Sequence, residues 1–339
     1  MKQTIISIFF ACMATYSVAV VKTVSNVPGD VAQFSTLTAA IIGTAPDDTL
    51  LISPSGVSYG SITVDKRLHL IGGGGQDNVT LNSLTFSSSS ASGSTVEGLN
   101  IIGSLSSQQV VTGLLIRYNR METLSLYRIS ASIAYNNIIS DRIQYLGEQG
   151  GQIVSNNIIY TANATFPALH NPGTQASVFR NNVVFLGPTA SMLEATTGNF
   201  QSIDFHNNII VGALNTDECM NCTFNNNLLS SCTNCTFDTG SNNGVDNIIN
   251  TVQGFVNYIS PFSPYEDDLH LMPTSPGYQT GTMGTDMGVF GGQEPFPANS
   301  IYGILIPGLP YVSSFQTVNL VVPVDSNLPF NASGFIIGE

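Results

Sequence analysis

The stretch "DFHNNIIVG" at residues 204–212 has four relatives in the same chain: "AYNNIIS" at 134–140, "VSNNIIY" at 154–160, "FRNNVVF" at 179–185 and "FNNNLLS" at 224–230. The first asparagines of the five pairs are Asn136, Asn156, Asn181, Asn207 and Asn226, separated by 20, 25, 26 and 19 residues. A fixed core motif with variable spacing describes a solenoid whose rungs are constant and whose loops vary. Each rung reads as a strand. Ile203 and Phe205 alternate with Asp204 and His206, and Val154, Phe179 and Phe224 stand where Phe205 does. Period two with aromatic and β-branched residues is a strand signal, and no 3.6-residue pattern competes with it. "VEGLNIIG" at 96–103 and "VTGLLIRYN" at 111–119 read as earlier rungs without the pair.

Asparagine tolerates left-handed backbone angles better than other non-glycine residues, so it suits a bend between two strands of one coil. Its amide carries donors and an acceptor, and rungs of a β-solenoid lie about 4.8 Å apart. The expected arrangement therefore puts the first asparagine of each pair at the corner, pointing inward and bonded to its equivalents above and below. The second asparagine points out, and the next aliphatic residue returns to the core.

The chain has 339 residues, 42% hydrophobic but only 9% charged, and a formal net charge of −13 with nine Lys+Arg. Ordinary apolar content with little charge argues against disorder. Scarce cations argue against nucleic acid and anionic membranes as partners. The N-terminus, "MKQTIISIFFACMATYSVAVV", has a lysine, an apolar run and a small-x-small site in the order of an export signal, read here as residues 1–19. No later apolar run is long enough for a membrane span, so the expected localisation is secreted or cell-surface.

These repeats resemble a right-handed parallel β-helix of the pectin-lyase-like superfamily, in its secreted bacterial, Bacteroidetes-like form. Residues 26–74 are similar to the N-terminal cap of such proteins, with a short helix at 34–42 over the first rung. The segment "DDLHLMPTSPGYQTGTMGTDMGVFGG" at 267–292 resembles their closing segment. The resemblance implies an all-β β-helix over residues 20–292. Residues 293–339, with "TVNLVVPV" between Pro-rich turns, read as a strand-rich cap or tail.

Enzymes of this superfamily act on polysaccharides, and two chemistries would leave marks. A lyase needs a base, often with calcium held by aspartates. A hydrolase needs two carboxylates about 5–9.5 Å apart. "NTD" at 215–217 matches a polygalacturonase tripeptide, but its partner motifs are missing. The basic candidates are Arg117, Arg120, Arg128, Arg142 and Arg180, with Arg180 the weak choice as catalyst. Arg117 falls in an inward register, which implies a shifted rung or a pair with Glu122. No calcium-type acidic cluster is evident.

Residues just before the ladder form an outward column, Tyr118, Tyr135, Ser155, Arg180, His206 and Asn225, able to meet a glycan with rings, amides and hydroxyls. The remaining local motif is "CMNCTFNNNLLSSCTNCTF". Its cysteines, Cys219, Cys222, Cys232 and Cys235, fit disulfides Cys219–Cys232 and Cys222–Cys235 in an exported chain. A zinc site and free thiols are the alternatives. The leading functional reading is an exported, non-catalytic β-helix that acts in extracellular or cell-surface carbohydrate binding, adhesion or structure. A divergent polysaccharide lyase or glycoside hydrolase and a surface-docked scaffold are the alternatives.

Overall fold

The computed structural model describes residues 19–297 except 76, 162–166, 172, 197, 231–236, 238–239 and 265, with the backbone of 310–317 and 330–336. The expected export signal falls almost wholly outside the described residues, as do Cys232 and Cys235.

The chain winds as an all-β, right-handed parallel β-helix. Two long sheets carry it. The first has eleven strands in strictly sequential order, from Val21–Val24 and Thr49–Ile52 through Ile133–Tyr135, Ile153–Ser155, Ser177–Arg180 and Ile203–His206 to Asn243–Val245. The second, of twelve strands, runs alongside it and includes Arg120–Ser125, Ile138–Gln144, Ile158–Tyr160, Val183–Phe185, Ile209–Val211 and Leu228–Leu229. Parallel pairing between strands one winding apart means that successive coils supply successive strands of the two sheets. At the N-terminal end a seven-residue helix, Leu37–Gly43, buries Leu37, Ala40 and Ile41, and the Thr36 hydroxyl accepts from Ala39 N. The helix starts later than expected because Thr36 is the cap. Phe34 lies before it, in a bridge to Val24. Among the described residues no helix is long and apolar enough to cross a membrane.

The corner between the two sheets repeats with one residue of left-handed backbone, at φ 54° in Asn136, 52° in Asn156 and Asn181, 56° in Asn207 and 53° in Asn226. Tyr118 (φ 54°) and Asp246 (φ 55°) hold the same corner in the rungs that lack the pair. The inward ladder, however, belongs to the second asparagine. Asn119, Asn137, Asn157, Asn182, Asn208 and Asn227 each donate from Nδ2 to Oδ1 of the next, ending on Asn247, at 2.9–3.1 Å. Each backbone N–H in the row also donates to the same oxygen, as from Asn157 N to Asn182 Oδ1 at 2.9 Å. The register expected from sequence is therefore shifted by one. The left-handed residue projects its side chain outward, and the next residue is the first to face the interior.

That shift explains the two aliphatics. Ile139, Ile159, Val184, Ile210 and Leu229 enter the main core between the sheets. Ile138, Ile158, Val183, Ile209 and Leu228 point the other way, into a second core. The second core is roofed by the later chain, through Phe255, Leu269, Leu271, Met287, Val289 and Phe296. After an antiparallel pair, Phe255–Asn257 with Asp268–Leu271, the chain runs back along the corners as a strap. The corner amides hold it: Asn226 Nδ2 donates to Thr280 O at 3.3 Å, Asn156 Nδ2 to Val289 O at 2.9 Å and Gly291 O at 2.7 Å, and Asn136 Nδ2 to Pro295 O at 3.3 Å. Asn207 Oδ1 accepts from Thr282 N at 2.9 Å. Gly292 (φ 77°) lies so close to Asn181 that a Cβ would stand 2.7 Å from its Oδ1, so the strap needs glycine there.

Ile209→Ala and Ile210→Ala should therefore each destabilise the protein by about 3 kcal/mol, the cost of a buried cavity. Both side chains are buried, at 1% and 2% exposure. Equilibrium urea unfolding tests this. A solvent-facing Ile209 would lose only a few tenths of a kcal/mol.

The early segments also differ from expectation. Gly98 (φ 69°) turns out of Thr95–Glu97, whereas Gly113 (φ 68°) turns into Leu115–Arg117. They are different corners of the coil, not equivalent points of two rungs. At the far end of the chain, Pro310–Thr317 pairs antiparallel with Phe330–Ile336.

Candidate functional site

The outward column on the first sheet is set by strict pairing. Glu97, Arg117, Tyr135, Ser155, Arg180, His206, Asn225 and Val245 are successive partners. Arg117, not Tyr118, occupies the place beside Tyr135. Tyr118 sits at the corner, 6% exposed, and belongs to the second core. Ile116 is the inward residue that pairs with Ala134, so Arg117 faces out without any shift of the rung. Glycine at 98 and tyrosine at 118 conceal this register in the sequence, because only the pairs mark the corner there.

Arg117 lies between neighbours on both sides. Its Nε donates to Glu97 Oε2 at 2.8 Å and its NH1 to Tyr135 OH at 2.8 Å. Its guanidinium lies 5.5 Å from the centre of the Tyr118 ring and 5.9 Å from that of Tyr135. The two rings meet edge to face with centroids 5.8 Å apart. Glu97 is 3% exposed, and burial pushes its carboxyl up although Arg117 pulls it down. Burial likewise raises the Tyr118 phenol.

Farther along, the strap reaches the column. Arg180 NH2 donates to Glu294 Oε2 at 3.2 Å and to Gln293 Oε1 at 3.3 Å, while Ser155 Oγ donates to the same Glu294 oxygen at 3.4 Å. At the open end His206 Nδ1 is 3.1 Å from Asp204 Oδ2, and Thr223 Oγ1 donates to Asp204 Oδ1 at 2.9 Å. Burial alone would raise the Asp204 carboxyl, but hydrogen bonds and charge from His206 with the Thr223 bond hold it below the usual range. The structure thus brings Tyr135, Ser155, Arg180, His206 and Asn225 into one row and excludes Tyr118.

The other basic candidates are engaged elsewhere. Arg120 pairs with Asp77 at 3.2 Å and Arg142 with Asp141 at 2.8 Å, so neither shares the column. Arg128 reaches Gln108 O on another edge of the rod. Glu122 is not the partner of Arg117. The "NTD" tripeptide is a local cap: Asn215 Oδ1 accepts from Asp217 N and starts the 3₁₀ turn Thr216–Glu218. A cavity of about 310 Å³ beside it is lined by Ser191, Asn215 and Asp217 among others. It offers one carboxylate, whereas glycoside hydrolysis uses two.

Cys219 and Cys222 are buried thiols. Burial, together with the neighbouring Cys222, pushes the Cys219 thiol well up. Cys222 follows left-handed Asn221 at the corner entering the first sheet, where Ser132 stands in an earlier coil. Its Sγ contacts Phe200 O at 3.6 Å and Met220 O at 3.7 Å, as Ser132 Oγ bonds the carbonyl two residues back at 2.7 Å. The thiol thus does a corner hydroxyl's work. The expected partners Cys232 and Cys235 lie outside the described residues. Among the described residues no three or more His, Cys, Asp or Glu side chains are grouped to hold a metal.

No protein-family model matches the chain, and none of the curated proteins matches it.

Proposed function

We propose that this protein is an exported β-helix of the pectin-lyase-like type that binds extracellular or cell-surface carbohydrate without cleaving it. The observation that carries this reading is the state of the column. Its arginines are neutralised by carboxylates of the same chain, Arg117 by Glu97 and Arg180 by Glu294, so neither is a base poised for proton abstraction. What the row offers instead is hydrogen-bonding groups on a rigid face, with His206, Asp204 and Asn225 at its open end. The strand spacing sets such groups about 4.8 Å apart. A net charge of −13 repels acidic chains and favours neutral ones. The N-terminal lysine and apolar run support export.

A glycan array, followed by turnover assays on pectate, alginate and neutral polysaccharides with and without calcium, tests the reading. Binding without new reducing ends or unsaturated products is the expected result. Turnover that Arg180→Ala abolishes would establish the lyase alternative instead. A wild-type protein that binds no glycan would leave the carbohydrate reading without support.

A further inference from the structure

Most paired aromatic rings among the described residues serve the two cores. Tyr118–Tyr135 and the Phe185, Phe255, Tyr258 and Phe262 group belong to the second core, and Phe179, Phe205 and Phe224 stack inside the main one. Tyr127 and Tyr145 belong to neither core. They lie one winding apart where the chain leaves the second sheet, with ring centroids 5.1 Å apart and planes at 52°. Their neighbours Leu126 and Leu146 fill the interior, at 1% and 0% exposure, which leaves the rings on the outside. Tyr127 is 39% exposed.

Both rings stand at a corner of the coil. Tyr145 has φ 62° and Arg128, next to Tyr127, φ 59°, the left-handed turn that Asn171 makes at φ 58° one winding on. Nothing in the packing of the core demands a tyrosine there. The surroundings are also those of a ligand face. Arg128 covers one side of Tyr127, 5.0 Å from its ring centre. Alongside, Gln144, His170 and Glu194 are consecutive partners in the second sheet, pointing outward. His170 Nδ1 is buried with no hydrogen-bond partner, and its Nε2 stands 3.9 Å from Glu194 Oε1.

We propose that Tyr127 and Tyr145 form a stacking platform for a neutral glycan, with Gln144, His170 and Glu194 bonding its hydroxyls. The proposal rests on the carbohydrate reading above and gives it a second, aromatic site. The two tilted rings, in contact with each other, expose an apolar edge that can meet the C–H face of one pyranose, while the polar row supplies both donors and acceptors. The balance of charge disfavours a uronate chain: Arg128 and Arg142 stand against Asp141, Glu148 and Glu194, so the surroundings carry one more negative than positive charge.

Titration calorimetry with hexasaccharides of β-1,4-linked glucose, mannose and xylose, and with oligogalacturonate, tests the platform on the full chain. Wild type should bind at least one neutral hexasaccharide. Tyr127→Ala and Tyr145→Ala should each weaken binding at the platform about tenfold, and the double variant should lose that site while the column still binds. Tyr127→Phe and Tyr145→Phe keep the stacking face and should stay within about twofold. Unfolding midpoints of all variants separate lost binding from lost fold. Double-variant affinity equal to wild type, or wild-type binding to oligogalacturonate alone, would overturn the platform and leave the carbohydrate reading standing. Absence of binding to any glycan on the array would remove that reading, and the platform with it.

Discussion

Asn157→Ala is expected to destabilise the protein by about 3–5 kcal/mol, while Asn156→Gly, one residue earlier, costs only about 1–2 kcal/mol. The two asparagines are identical in sequence context and opposite in role. Asn157 is fully buried. Its Oδ1 accepts from Asn137 N and Asn137 Nδ2, both at 2.9 Å, and its Nδ2 donates to Ala134 O and Ser155 O at 2.9 Å and to Asn182 Oδ1 at 3.1 Å. Truncation leaves donors of Asn137 and carbonyls of two strands without partners in a dry interior. Each such group costs about 1–3 kcal/mol, and removal from the middle of a polarised row weakens its neighbours as well. Asn156 instead turns the corner, and glycine takes a left-handed angle without strain. What Asn156→Gly loses is the pair of bonds from Nδ2 to the strap. Urea unfolding of both variants gives the comparison. Equal losses, or a larger loss at Asn156, would mean that the corner residue carries the ladder after all.

Arg117→Ala should cost about 3 kcal/mol near neutral pH, because it strands a buried carboxylate. Glu97 is 3% exposed and Arg117 31% exposed, so solvent cannot replace the guanidinium at Glu97. The loss depends on pH in a determined direction. Burial already holds the Glu97 carboxyl above its ordinary 4.5. The folded state therefore binds that proton more tightly than the unfolded chain does, and stability falls as pH rises through the window between the two values. Removing Arg117 extends the window upward. The deficit of the variant is thus largest near neutrality and shrinks as pH falls toward 4.5, where the folded carboxyl is mostly protonated with or without Arg117. Glu97→Gln in the Arg117→Ala background should recover much of the stability, since no charge is then stranded. Thermal unfolding across that pH range checks both statements. A deficit under about 1 kcal/mol that does not change with pH would mark the pair as an exposed one.

The site was partly legible before the structure. Tyr135, Ser155, Arg180, His206 and Asn225 each precede a visible Asn-Asn pair, so counting from the pair placed them in one row. The first member of the row was misread because "RYN" has no pair. Tyr118 stands where the corner asparagine belongs, and the true column residue, Arg117, lies one place before it. Glu97 could not be identified as its partner, since the corner there is Gly98 followed by Leu99 and carries no asparagine at all. Tyr127 and Tyr145 left no usable signal. They are 18 residues apart, but a bulge between Met121 and Thr123 makes the step between these coils 19 by Ser125, so they are neighbours without being register partners. The roles of Gln293 and Glu294 left none, because a pairing over more than a hundred residues has no local signature.

Repetition along the chain determined the coil, its rungs and its left-handed corners, since these depend on backbone angles and alternation within a few residues of each asparagine. It could not determine which asparagine faces inward. Alternation identifies the inside of a sheet only when the outside is polar, and here both aliphatics after each pair are buried, Ile209 at 1% and Ile210 at 2%. One of those faces is apolar because the strap of residues 276–297 returns to cover it, and that cover exists only once the chain has folded back along its own corners.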